Sequence, residues 1–176
     1  MSSVSKEQQQ LILDLLLGKI SEERFYAAYP IEPKNLKTET ARILSVSAAA
    51  HDATGVEFGL YLGHRFGFEA HVVDVLNSLL GATWHERHED VVDALAVLRN
   101  ESSLDVLHHE ALTHRDYRSY DDARSLEVKA VRAIASLPSS ETHERLEDIA
   151  RRGDAIVAAE AASLLRDQAG SRPESR

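Results

Sequence analysis

Cysteine is absent from this chain, so no disulfide, zinc–thiolate site or cysteine nucleophile can form. A reducing, cytoplasmic setting accords with that absence. No run of about 18 or more apolar residues occurs, which excludes a transmembrane helix. The polar start, Met1 to Gln10, has no apolar run behind a basic end, so no signal peptide is expected. Basic side chains are outnumbered, 20 against 29 acidic ones, and the formal net charge is −9. That deficit of positive charge disfavours nucleic acid as a partner and favours a basic protein. A Gly-rich phosphate loop and a G-x-S-x-G elbow are both missing, and no Ser, His and Asp spacing selects a nucleophile with its base. No cofactor is therefore predicted. No segment alternates apolar and polar residues long enough to argue a strand.

What is present is 176 residues, 43% apolar and 28% charged, the proportions of one ordinary globular domain. Glycine and proline act as punctuation between stretches of helical periodicity. Leu11, Ile12, Leu15 and Leu16 predict a first helix over 6–18, with Ser5 and Gln8 as a capping box. Ser21-Glu22-Glu23 starts a second helix that Pro30 ends, and Pro33 stiffens the connector to Asn35. A third helix is expected over 36–51. Thr54 with Glu57 is expected to cap a fourth through Phe66, stopped by Gly67 in a left-handed conformation. Val72 to Leu80 mark a fifth, ended by Gly81. Thr83 with Glu86 predicts the cap of a sixth, and Ser102 with Asp105 the start of a seventh. The eighth to tenth are expected over 121–137, 140–151 and 154–167, followed by a flexible tail over 170–176. Gly55, Gly59, Gly63 and Gly67 recur every four residues and predict a close contact between soluble helices. Asp52, Glu57, Glu69 and Asp74 nearby read as a solvated face.

Three motifs repeat: Ala94-Leu95-Ala96-Val97-Leu98, Ala133-Ile134-Ala135-Ser136-Leu137 and Ala161-Ala162-Ser163-Leu164-Leu165. Small residues allow helices to approach, and a large apolar residue closes the face. The first two motifs are 39 positions apart and the last two 28, because Thr113 to Asp122 is a longer, Tyr-containing connector. Stacked helix pairs of this kind predict an all-α solenoid of about ten antiparallel helices. It would be one domain over 1–169: an N-terminal hairpin over 1–34, a less typical pair over 36–68 and repeats over 69–167.

The stretch from Glu69 to Arg166 resembles bacterial HEAT-like repeat proteins of the phycocyanobilin-lyase type. Ala82-Thr83-Trp84-His85-Glu86-Arg87-His88-Glu89-Asp90-Val91, with Ala111-Leu112-Thr113 and Tyr117 to Asp122, resembles the small HEAT-repeat immunity proteins found beside polymorphic toxins. The resemblance implies a HEAT-like fold and a non-enzymatic antitoxin role.

The histidines pose a rival reading. His85-Glu86, His88-Glu89, His109-Glu110 and His143-Glu144 form four pairs, and a HEAT-repeat di-iron hydroxylase family uses paired His-Glu motifs. If helical, His85, His88 and Glu89 share a face at i, i+3 and i+4, where ligand atoms can converge. Register opposes a repeated ligand set. Aligning the three motifs places Glu127 and Ala155 opposite His88, and Val128 and Ile156 opposite Glu89. H-E-x-x-H is also missing, since Glu89 stands where the second His belongs. No metal is therefore predicted. His108 lies on the apolar face of Leu104, Leu107 and Leu112 and reads as a satisfied core histidine. Trp84 reads as an anchor between repeats, with a partner hot spot as the alternative.

A binding protein that neutralises a toxin is the first functional reading. Its concave, second-helix face would present Glu86, Glu89, Asp90 and Asp93, then Asp121, Asp122 and Glu127, to steer a basic partner. Tyr117 and Tyr120 would add contact area at low entropic cost. Capping and dipole compensation at helix starts explain single acidic residues equally well. A metal-dependent oxygenase, a lyase resembling tetrapyrrole-attaching HEAT-like proteins, and a general intracellular scaffold are the alternatives.

Overall fold

Ser5 opens the first helix as its spacing predicts: its hydroxyl accepts the Gln8 N–H at 3.2 Å, and the Gln8 side chain accepts the Ser5 N–H at 2.9 Å. The computed structural model describes residues 3–170. Helix α1 spans Lys6–Leu16 and α2 Glu22–Ala28, the latter capped by the Ser21 hydroxyl. A 3-10 turn at Pro33–Asn35 leads into α3, Leu36–Ala50, followed by α4, Ala53–Phe66, and α5, Val73–Leu80. Then come α6, His88–Leu98, α7, Leu104–Ala111, α8, Ser125–Ser136, α9, Thr142–Arg152, and α10, Ala155–Gly170. Among the described residues the protein is all-α, with ten α-helices and no strand. None of the helices is long and apolar enough to cross a membrane. Beyond Gly170, the expected flexible tail lies outside the described residues.

Four helix starts differ from expectation, each for a local reason. At α4 the cap position is Asp52, not Thr54, and its carboxylate accepts the N–H of Ser3 at 2.9 Å. Before α7, the Asn100 side chain accepts the Ser102 N–H at 2.9 Å and a 3-10 turn at Glu101–Ser103 intervenes. Helix α8 starts four residues late because Asp121 acts from outside it, accepting the Ser125 N–H at 3.0 Å while Arg124 takes a left-handed φ of 53°. Helix α6 begins at His88, so the expected Thr83–Glu86 capping box does not form.

The segment before α6 is held open by its own side chains. The His85 Nδ1 accepts the Arg87 N–H at 3.1 Å, which puts the ring proton on Nε2, donated to the Leu79 carbonyl at 2.9 Å. The Arg87 guanidinium pairs with Glu57 and lies 5.8 Å over the Tyr61 ring. Trp84 does not open a helix; it stacks on His51, with ring centroids 4.9 Å apart.

The chain divides into two compact units, residues 1–87 and 88–176. In the first, Ile12, Phe25, Leu36, Ile43, Phe58 and Leu62 share one core with Val4 and Tyr29. Phe25 stacks on Tyr29 at 4.8 Å and on Phe66 at 5.6 Å. The glycine spacing of α4 serves close helix packing: a Cβ on Gly59 would lie 2.8 Å from the Leu44 side chain on α3. Gly67 ends α4 with φ 98°, a conformation that disfavours side-chain-bearing residues.

In the second unit α6, α8 and α10 pack side by side, α7 packs on α9, and α8 touches all four others. Ala94, Ala133 and Ala161 of the three repeated motifs are all buried, as the close approach of neighbouring helices requires.

Candidate functional site

The connector between α7 and α8, Thr113 to Arg124, carries three arginines and three aspartates and so has no formal charge of its own beyond His114. The fold sorts these charges. Arg115 turns inward onto Glu110, with hydrogen bonds of 2.7 and 2.6 Å; the glutamate is 1% exposed and the arginine 13%. Arg118, 11% exposed, reaches Glu89 of α6 at 2.9 Å and Asp121 at 2.6 Å. Arg124 binds Asp154 at 2.7 Å. Bidentate and multiply hydrogen-bonded pairs of this kind are the strong ones, because charge assistance and geometry reinforce each other.

Two polar side chains anchor the connector from below at equivalent register positions. His88 is fully buried in the first turn of α6, and its Nδ1 lies 2.9 Å from the Tyr117 hydroxyl. Glu127 is buried in the first turn of α8 and lies 3.0 Å from His114 Nδ1. The alignment that places Glu127 opposite His88 thus identifies two pegs for one loop. Glu127 is not on an exposed face, contrary to expectation.

The acidic residues expected to meet a partner separate into two groups. Glu89 also meets Lys129 of α8 at 2.9 Å, and Asp93 meets the same ammonium at 2.6 Å. Glu89, Asp93 and Asp121 are therefore each engaged by a cation of this chain, which removes most of their charge from a basic partner's reach. Burial alone would push the Glu89 carboxyl up; Lys129 and Arg118 outweigh it and hold the group below the usual carboxylate range. The Arg118 hydrogen bond is the chief cause that keeps Asp121 low, against a smaller opposing effect of burial. Tyr117 serves as an internal peg and not as free contact area. Asp90 is half-buried on α6, and Glu86 is exposed in the segment before it, within the first unit. Tyr120, at 77%, is the most exposed large hydrophobic residue among those described, and Asp122 beside it is exposed too.

The His-Glu pairs do four separate jobs. His85 lies outside α6, so the i, i+3, i+4 face with His88 and Glu89 does not exist. The ring nitrogens of His85 and the Nδ1 of His88 are engaged by backbone and Tyr117, and Glu89 by two cations. His109 is exposed while Glu110 is buried on Arg115, and His143 pairs weakly with Glu147 at 3.6 Å. Among the described residues no three His, Asp or Glu side chains gather as a metal site. His108 is a largely buried histidine bonded to Asp148 at 3.1 Å; burial lowers its pKa and Asp148 partly opposes the shift.

Arg115, Arg118, Lys129 and Glu110 organise this region and were not foreseen. The available signal was three arginines crowded into one connector of an acidic chain, next to glutamates at core-facing positions. Comparison of the chain with protein-family models, with curated proteins and with solved structures finds no match.

Proposed function

We propose that this chain is a non-enzymatic, HEAT-like protein-binding module of the immunity type, which neutralises a cognate bacterial toxin in the cytoplasm. The observation that carries the reading is the combination of a rigidly clamped connector with an outward aromatic side chain. Tyr117, Arg115 and Arg118 tie the loop down on three sides, and Tyr120 stands 77% exposed between them and α8. A long, ordered surface loop is a common carrier of binding function. A rigid tyrosine offers large contact area with only two side-chain torsions to freeze, so little entropy opposes its use. The exposed carboxylate of Asp122, two residues along the chain, favours a basic toxin face and speeds encounter.

The engagement of His85, His88 and Glu89 by other groups of the chain leaves the di-iron reading without a ligand set to support it. The test is protection of cells that express the toxin encoded by a neighbouring gene. Tyr120→Ala should weaken the purified complex by roughly 30-fold, the effect of an interfacial hot spot, and abolish protection. Glu144→Lys, at an exposed position of α9, should leave both intact. Equal effects of the two substitutions, or no protection by the parent chain, would overturn the proposal.

A further inference from the structure

We propose that the cavity between the Pro30–Asn35 connector and the first turns of α3 binds a small neutral amide with an aliphatic side chain, its carbonyl oxygen on Arg42 and its N–H on the Asn35 side chain. The site lies in the first unit and is independent of the toxin-neutralising reading, which rests on the second. The cavity measures about 470 Å³, within the range of small-molecule sites. Pro30 and Ile31 form its apolar wall. Asn35, Thr38, Glu39 and Arg42 form the other; at offsets of three, four and seven residues they share one face at the start of α3. Side chains on a helix lean toward its N-terminus, so Arg42 reaches back over Glu39 in the direction of Asn35.

Two groups here have hydrogen-bonding capacity to spare. Glu39, 8% exposed, takes the Arg42 guanidinium side-on, accepting from Nε and Nη2 at 2.7 Å each. A guanidinium carries five N–H groups. The three left, two on Nη1 and one on Nη2, meet no acceptor among the described residues, and the side chain that bears them is 50% exposed and lines the cavity. The second group is the Tyr29 hydroxyl, which is closed off from solvent and has no hydrogen-bond partner among the described residues. Burial pushes its pKa up to about 12, with Glu39 adding to the shift and Arg42 opposing it, so the charges that act on it are those of the pair at the cavity wall. A buried hydroxyl without a partner keeps the cost of its lost hydration. A carbonyl on the free fork draws Arg42 outward, so that Glu39 keeps one bond to it and turns its other oxygen to the Tyr29 hydroxyl. The orphan is then satisfied only in the occupied site.

Charge selects a neutral guest. Glu32 at the rim pairs with Lys34 at 2.8 Å and Glu39 pairs with Arg42, so the wall carries no net charge. An anion would set a second negative charge beside buried Glu39, and a cation would face the Arg42 fork. Thr38 spends its hydroxyl on Glu69, which leaves the Asn35 side-chain carbonyl to accept an N–H. Donor fork, acceptor and apolar wall together match a peptide-type amide beside an aliphatic side chain.

The experiment uses the full chain and three probes of one shape: N-acetylleucine methylamide, which is neutral, N-acetylleucine, an anion, and leucine methylamide, a cation. Binding is followed by NMR through the Ile31 methyl groups and the Arg42 Nε–H. The neutral probe should shift them saturably, and each charged probe should bind about 5-fold more weakly or not at all. Asn35→Ala and Arg42→Lys should each weaken the neutral probe by about 5-fold; the lysine keeps a cation for Glu39 and removes only the fork. Asp74→Asn, at an exposed position of α5, should leave binding unchanged. Tyr29→Phe separates a ligand role from a structural one. Removing an orphaned hydroxyl should hold or raise the melting temperature of the free chain, yet weaken the neutral probe about 3-fold, because Glu39 loses the donor it gains on binding. An anionic probe that binds as tightly as the neutral one, absence of saturable shifts, or unchanged affinity in Tyr29→Phe would overturn the proposal.

Discussion

The Tyr117 hydroxyl lies 2.9 Å from Nδ1 of His88, 29 positions earlier in the chain, where the histidine is fully closed off from solvent. The two rings also approach each other, with centroids 5.7 Å apart. A buried ring nitrogen that loses its hydrogen-bond partner keeps the full cost of its lost hydration. Tyr117→Phe removes the hydroxyl and little else. It should lower stability by about 1–2 kcal/mol in denaturant titration and speed hydrogen exchange across 113–124, with helix content unchanged. Unchanged exchange in the connector would mean that the hydroxyl does not hold the loop.

Arg115 and Glu110 form a deeply buried ion pair, with the glutamate 1% and the arginine 13% exposed. Removing one partner strands the other charge, whereas removing both with apolar residues of similar size leaves nothing unpaired. Arg115→Met alone should cost about 3–5 kcal/mol, and the Arg115→Met, Glu110→Leu double substitution much less. Chemical denaturation of the two single variants and the double variant reads this directly. Additive losses would show that the pair acts through packing and not through charge.

Much of the architecture was legible in the sequence, and the reasons differ between elements. Helix existence followed from apolar periodicity, and the Ser5–Gln8 cap from a purely local signal. The start of α6 was not legible, because Thr83 and Glu86 satisfy a capping rule that the His85 ring, bonded to the Leu79 carbonyl and the Arg87 N–H, overrides. The alignment that set His88 opposite Glu127 was read only as an argument against a ligand set, whereas both residues are buried and hold the same loop. Composition marked the acidic residues near 89–93 as a surface patch. Only the fold brings Arg118 and Lys129, 29 and 40 positions away from Glu89, onto them.

Gly55 tests how the N-terminal segment is held. A Cβ there would collide with the Ser3 and Ser47 hydroxyls and approach the Asp52 carboxylate at 2.5 Å. Ser3 lies in that notch through its N–H to Asp52, and Val4 behind it is buried in the core. Gly55→Ala should therefore displace the segment and cost about 1–3 kcal/mol, despite the better helix propensity of alanine. Gly81→Ala is the contrast, with φ −79° and no atom nearer than 3.7 Å, and should be neutral or stabilising by about 0.4–1 kcal/mol. Thermal unfolding of the two variants in parallel separates overpacking from propensity, and equal shifts would refute the notch.

Acid should release the connector in a defined order. Glu89 and Asp121 are both held below their ordinary values, so their ionised forms are favoured in the folded chain. Such groups contribute stability that is fully present above the unfolded carboxylate range near ~4 and is lost as pH falls through the lower folded values. The clamp made by Arg118 and Lys129 with Glu89 and Asp121 should thus persist at pH 5 and open only below about pH 4. The Ser125 amide, which donates to Asp121 at 3.0 Å, reports the event through its hydrogen-exchange protection. Arg118→Gln removes the chief cause of the Asp121 shift and should move loss of protection to higher pH. Loss of protection already between pH 5 and 7 would show that the carboxylates around Arg118 do not govern the loop.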